Sequence, residues 1–113
     1  MGRLKGPRPS RFDEIFDTGL TSSSPNLKLY SLPGQGLLGI ATSRKLGSRP
    51  RRNLFKRRMK AIATNYGDQM ANFDWVVSVK HSAAQATYPD LATELGELIT
   101  ESLRRWEKQS EFS

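Results

Sequence analysis

RRNLFKRRMK, residues 51–60, places six Lys or Arg side chains and no carboxylate in ten positions. Its apolar residues set its shape. Phe55 and Met59, continued by Ile62 and Tyr66, recur at i, i+4, i+7 and i+11, which is one face of an α-helix. At about 100° per residue, Asn53, Lys56, Arg57 and Lys60 gather on the opposite side while Arg52 flanks the apolar stripe. Ser48 precedes the segment as an N-cap, and Pro50 falls in the first turn, where its missing N–H costs nothing. The spacing therefore predicts a helix that buries one side and offers the other to an anion.

The charge extends beyond this helix. Residues 44–60 carry nine basic side chains (Arg44, Lys45, Arg49, Arg51, Arg52, Lys56, Arg57, Arg58 and Lys60) and no acidic one, half of the eighteen in the chain. Residues 90–113 instead hold six carboxylates against Arg104, Arg105 and Lys108. A formal charge of +7 distributed this way makes a polyanion the first partner to consider. Solvated helix faces usually mix signs to gain i,i+4 pairs, and this face has no carboxylate to pair with. Self-repulsion of that kind is tolerated where a ligand relieves it.

The flanking sequence builds the rest of one small domain, since 113 residues at 36% hydrophobic content leave little for a second core. Met1 to Pro9, basic and rich in Gly and Pro, reads as a flexible N-terminal arm, followed by a domain over residues 10–108 and a C-terminal tail over 109–113. Ser10 and Asp13 form an S-x-x-D box opening a short helix over about Arg11–Thr18, closed by Gly19. Its Phe12, Ile15 and Phe16 share one face. LKLYSL, from Leu27, alternates Leu27 and Leu29 against Lys28, Tyr30 and Leu32 as a half-buried strand. After the turn signal PGQG (33–36), LLGIATS reads as a second strand, and the short connection predicts an antiparallel pair. FDWVVSVK (73–80) reads as a third, largely buried strand. Thr87 and Asp90 form a T-x-x-D box opening a last helix with Leu91, Leu95, Leu98, Ile99, Leu103 and Trp106 on its apolar side. The expected fold is α+β, a single small domain in the order α-β-β-α-β-α with a sheet packed by helices.

Other chemistries find little support. The chain has no Cys, which removes disulfides and thiolate chemistry and fits a reducing compartment. No apolar run reaches the roughly 18 to 20 residues of a membrane span, and Met1–Ser10 lacks an apolar signal core, so the expected location is the cytoplasm. His81 is the sole histidine, at a strand end without a nucleophile or metal-ligand pattern near it, and reads as a loop residue. No phosphate-binding glycine loop or dinucleotide fingerprint occurs. Trp75 and Trp106 read as packing residues. On composition alone Phe12 and Phe16 would be core, whereas Tyr30, on one strand face with Lys28, could stack a base while Lys28 meets a phosphate.

RKLGSRPRRNLFKRRMK, Arg44–Lys60, resembles the signature of the bacterial ribonuclease P protein subunit, in which K-K-x-G leads into a helix bearing R-N-R-x-x-K-R-x-x-R. Arg44, Lys45 and Gly47 match the lead; Arg52, Asn53, Lys56 and Arg57 match the helix at the same spacing. Phe12, Phe16 and Gly19 repeat the family's F-x-x-x-F-x-x-G, and Tyr30 fits the strand aromatic after it. The likeness covers about residues 3–106. It departs at Leu54 and Lys60, each standing where the family has Arg, and at Arg49 and Pro50, where Ala-Val is usual. Leu54 loses a planar five-donor fork.

The resemblance implies a left-handed βαβ crossover and a partnership with a large catalytic RNA that does the chemistry. Together they would remove the 5′ leader of precursor tRNA, with Mg²⁺ held mainly by the RNA and no catalytic or metal-binding residue on the protein. It implies that Arg44, Lys45, Arg49, Arg51, Arg52, Asn53, Lys56, Arg57 and Lys60 meet the catalytic RNA, and that Phe12, Phe16, Lys28 and Tyr30 line a cleft for the leader. The protein would strengthen substrate and Mg²⁺ affinity; neither a membrane nor a small-molecule substrate is expected. The first rival is a general RNA-binding protein, such as a ribosomal protein or RNA chaperone, which shares the charge without needing the R-N-x-x-K-R spacing. A protein-only nuclease needs a carboxylate or His cluster that the sequence lacks, and a polybasic membrane-surface helix would leave the strands unexplained.

Overall fold

The computed structural model describes residues 5–111. Helix α1 spans Pro9–Thr18, followed by strands β1 (Leu20–Ser23), β2 (Leu27–Pro33) and β3 (Leu38–Thr42). A 3₁₀ turn over Arg44–Leu46 leads into α2 (Arg49–Thr64) and the short α3 (Gly67–Met70). Strand β4 (Phe73–Val79), a second 3₁₀ turn (His81–Gln85) and α4 (Tyr88–Glu111) complete the chain. The α+β expectation holds, with β1 and α3 added to the predicted order.

The four strands run in the order β1-β2-β4-β3. β2 is antiparallel to β1 and to β4, whereas β3 is parallel to β4. The expected β2–β3 pair therefore does not form, because β4 lies between them. β4 is the strand suited to that place: Trp75, Val76, Val77 and Val79 are all fully buried, so it has apolar partners on both faces. The Pro33–Leu37 connection wraps around its start instead of closing a hairpin. Gly34 N donates to Asn72 O at 3.0 Å, Gly36 N to Phe73 O at 2.8 Å, and Trp75 N to Leu37 O at 2.8 Å.

Asp74 organises this connection. Its carboxylate accepts from Gln35 N (2.9 Å), Leu37 N (3.0 Å) and Arg11 Nε (2.9 Å). Arg11 also donates to Pro33 O at 2.7 Å and so ties α1 to the same turn. The carboxylate is seated against Gly34, where a Cβ would collide with it. Burial pushes the Asp74 carboxyl up, but the two backbone amides and the guanidinium outweigh burial and hold it below the usual carboxylate range.

The sheet separates two apolar clusters. On one face Leu27, Leu29, Trp75 and Val77 pack against α2 (Phe55, Met59, Ile62) and α4 (Leu91, Leu95, Ile99). On the other, Ile15 of α1 packs with Tyr30 and Val76, flanked by Phe12 and Leu32. The result is a three-layer arrangement, α1 on one side and α2 with α4 on the other.

Several local expectations are corrected. α1 begins at Pro9 with Arg8 at its N-cap position, so Ser10 lies inside the helix and caps nothing. Proline at the first turn with its preset φ replaces the cap. Gly19 ends α1 at φ −68°, so its value is room rather than a left-handed turn. A Cβ there would collide with Ile15 O and lie 3.0 Å from Ser31 O. Gly19→Ala is expected to cost about 1 to 3 kcal/mol by overpacking, read as a lower urea midpoint at unchanged m-value.

Of the arm expected over residues 1–9, residues 1–4 lie outside the described residues and Pro9 belongs to α1. Lys5 O accepts from Leu38 N at 2.8 Å, so this stretch lines the edge of β3 where a free strand would otherwise be exposed. α4 continues through Glu111, which places residues 109–111 in the helix rather than in a tail; 112–113 lie outside the described residues. Its T-x-x-D box forms as expected, Asp90 N donating to Thr87 Oγ1 (3.2 Å) and Thr87 N to Asp90 Oδ2 (3.3 Å).

Candidate nucleic-acid interface

Helix α2 takes the predicted form. Ser48 occupies the N-cap position, though its side chain makes no capping hydrogen bond and the start rests on proline in the first turn; Phe55, Met59, Ile62 and Ala63 are buried. Tyr66, just beyond the helix, is half-buried against the same cluster. Gly47 precedes the helix at φ +130°, a conformation that disfavours side chains. A Cβ there would also lie 2.7 Å from Arg51 Cδ, so glycine lets the Arg51 stem fold back across the turn.

With its core face fixed, α2 presents Arg49, Asn53, Lys56, Arg57 and Lys60 to solvent, and Arg44 and Lys45 are exposed on the preceding 3₁₀ turn. Lys45 N donates to Ser43 Oγ at 3.2 Å, which secures that turn. Arg52 is half-buried, and its Nε is buried with no hydrogen-bond partner among the described residues. The ion pairs among the described residues are Arg11–Glu14, Arg11–Asp74 and Arg104–Glu101. None of the nine cations between residues 44 and 60 takes part in one.

Across the sheet lies an aromatic surface. Phe12 and Phe16 stack with ring centroids 6.3 Å apart, and Phe16 lies over Tyr30 at 4.6 Å with 24° between planes. The sequence assigns the solvent-facing ring to Tyr30; the structure reverses this. Tyr30 is 8% exposed beneath Phe16, which is itself 40% exposed. Burying Tyr30 against Ile15 and Val76 leaves Phe16 as the open ring, with Tyr30 as its backing. Phe12 is half-buried and occupies the space that a side chain on Gly39 would need. Lys28, two residues before Tyr30 on the same strand face, is exposed between Ser23 and Ser78 on the flanking strands. The predicted leader residues thus lie in one layer, and α2, whose outer side carries the predicted catalytic-RNA residues, packs through Phe55, Met59 and Ile62 against the other sheet face.

One carboxylate of α4, Glu94, serves the fold. Glu94 accepts from Ser24 Oγ (2.6 Å), Asn26 N (3.0 Å) and Asn26 Nδ2 (2.6 Å), which holds the β1–β2 turn. Trp75 is fully buried and donates to Met70 O at 3.0 Å, and Trp106 donates to Ser31 Oγ at 2.9 Å, as packing residues should. His81 is exposed at the start of its 3₁₀ turn. Among the described residues no group of three or more His, Asp or Glu is placed to hold a metal ion, and no helix is long and apolar enough to cross a membrane.

Charge held without counter-ions characterises proteins that bind polyanions, and an exposed ring stack beside a lysine suits RNA, whose bases offer π-faces. The molecule is of the small α+β RNA-binding class. Residues 3–102 match the family model for ribonuclease P, and the chain belongs to that protein family. The ribonuclease P protein component of a Nitratiruptor species is 27% identical over 95 residues, covering 83% of this chain and 87% of the relative. That of Xanthomonas campestris pv. campestris is 32% identical over 85 residues, covering 73% and 57%. Among solved structures, the RNase P protein of Staphylococcus aureus matches with a TM-score of 0.78 at 19% identity, over 88% of this chain and 94% of that one. The Thermotoga maritima protein gives 0.74 at 23% identity, over 86% and 96%. At these identities the structural likeness bears on the fold. The family assignment makes the chain a subunit of the tRNA-processing endoribonuclease, working with the ribonuclease P RNA.

Proposed function

We propose that the protein binds the ribonuclease P RNA through α2 and the Arg44–Leu46 turn, and the 5′ leader of precursor tRNA through the layer of Phe16, Tyr30, Phe12 and Lys28. The observation that carries this reading is the separation of the two surfaces. Uncompensated cations lie on the helix packed on one sheet face, and the open ring lies on the other. In this division Arg52, Asn53, Lys56, Arg57 and Lys60 meet phosphates of the structured RNA. Phe16 stacks on a leader base while Lys28 meets the neighbouring phosphate, a mode that tolerates any leader sequence.

In this reading, which follows the family resemblance, the RNA performs the hydrolysis and holds most of the Mg²⁺. The protein contributes by neutralising phosphate charge, which strengthens substrate affinity and lets the complex form and act at lower Mg²⁺ because fewer counter-ions are needed. The compartment for this role is the cytoplasm.

The affinity of the reconstituted holoenzyme for precursor and for mature tRNA tests the leader assignment. Wild type is expected to prefer the precursor. Phe16→Ala is expected to reduce that preference about 10-fold or more, from a stacking contribution of about 1 to 3 kcal/mol per base. Because Phe16 is 40% exposed yet stacked on Tyr30, the same change should cost folding about 1 to 2 kcal/mol, which leaves the variant folded. An unchanged preference in a folded variant removes the leader role from this ring.

A further inference from the structure

We propose that Arg51 and Arg58 form a second phosphate-binding fork on α2, built on the ring of Phe55, and that it grips the backbone of the ribonuclease P RNA; this rests on the reading above. Phe55 is 3% exposed and anchored in the main core. The Arg51 guanidinium carbon lies 6.0 Å from its ring centroid and that of Arg58 lies 5.7 Å away. Four residues before and three after Phe55, the two arginines fall on one strip of the helix, about 20° apart around its axis. Arg51 is held further by its stem folding over Gly47 and by Nη2 donating to Ala84 O at 3.5 Å.

Two like charges are thereby drawn to one ring, and among the described residues neither has an ion-pair partner. Cation–π attraction of two arginines to the outer edge of one ring is modest, and like charges on neighbouring turns repel. The arrangement gains its purpose from an anion that both arginines contact. Planar guanidiniums with preset orientation suit this, since each presents paired donors to phosphate oxygens and loses little freedom on binding. Leu54, half-buried between them on the helix surface, supplies no donor. The strip lies beside the core stripe, on the edge opposite Arg52 and across the helix from Asn53, Arg57 and Lys60, so it meets a different stretch of RNA. It extends the RNA-facing surface toward the His81–Gln85 turn that Arg51 touches.

The test is the affinity of the full chain for ribonuclease P RNA, and for an unrelated RNA of equal length, as a function of salt. Arg51→Met/Arg58→Leu keeps packing volume over Phe55 and removes the fork. It is expected to weaken binding about 10- to 100-fold and to make the log–log salt slope shallower by about 0.7 to 0.9, the value for one shared phosphate. Arg51→Lys/Arg58→Lys keeps the charge but not the paired donors, and is expected to retain the slope while losing about 3-fold or more in affinity. Should the Met/Leu pair fail to fold, the Lys pair decides: wild-type affinity overturns the proposal. If the folded Met/Leu pair binds like wild type while Arg52→Ala/Asn53→Ala is impaired, the fork is refuted and the subunit reading stands. If wild type does not distinguish the two RNAs, the reading itself fails and the fork falls with it.

Discussion

Alanine at both Arg52 and Asn53 is expected to weaken binding to the ribonuclease P RNA by about 100-fold, which corresponds to about 3 kcal/mol for two charge-assisted or amide contacts to phosphate. The loss should come without unfolding. Asn53 is exposed, and Arg52 carries a buried Nε that has no partner among the described residues, so truncating it removes a desolvated donor the fold does not satisfy. Alanine is also the better helix former at both positions. A filter-binding or fluorescence titration across salt, beside a thermal melt, separates the outcomes. Lost affinity with an unchanged or raised melting temperature supports phosphate contact. A lowered melting temperature with retained affinity shows that the pair serves packing.

Asp74→Ala is expected to have the largest effect on stability, about 3 to 5 kcal/mol, because it leaves two backbone amides and the Arg11 guanidinium without their shared acceptor. In a domain whose total stability is about 5 to 15 kcal/mol, that change alone could unfold much of the protein at 37 °C. The same carboxylate sets a pH dependence. Its folded pKa lies below its unfolded value of about 3.9, so between the two the unfolded state binds more protons and stability rises with pH. The contribution is complete above about pH 4 and is lost as the pH falls through the folded pKa. Urea midpoints measured from pH 6 down into this acid range should fall more steeply for wild type than for Asp74→Asn, which has no carboxylate to titrate. Equal slopes would assign the acid sensitivity to other groups.

What was legible in the sequence was what local physics decides. The α2 stripe, its proline start, the Thr87–Asp90 box and the apolar run of β4 all depend on neighbours within a few residues, and each forms as read. The structure departs from the local reading where distant residues decide. A short connection between two strands ordinarily closes a hairpin, and only the competing claim of β4, forty residues on in the chain, separates β2 from β3. β1, four residues of Leu, Thr and Ser, carries too little apolar pattern to be distinguished from a loop, and its register is supplied by β2. Asp74 left one visible signal, a carboxylate inside an otherwise buried run, though nothing local revealed that its partners lie in the Pro33–Leu37 turn and on α1.

The geometry of the candidate site was legible in part. The matching spacing of Arg52, Asn53, Lys56 and Arg57 marked α2, and the structure adds that its cations stand without ion pairs among the described residues. Which aromatic ring is open could not be read from alternation along β2, because α1 decides it by laying Phe16 over Tyr30. The orientation of Arg51 and Arg58 over Phe55 likewise follows from where the core face of α2 points, which marks Arg58 as more than one further charge in a basic run.

Cleavage of a 5′-extended precursor tRNA by ribonuclease P RNA at low Mg²⁺, with and without this protein, tests the central claim most directly. The expected result is that wild type restores cleavage at the mature 5′ end, that Arg52→Ala/Asn53→Ala does not, and that the protein without RNA cleaves nothing. If neither protein restores cleavage while both bind RNA indiscriminately, the chain acts as a general RNA binder and the proposed division of its two surfaces is wrong.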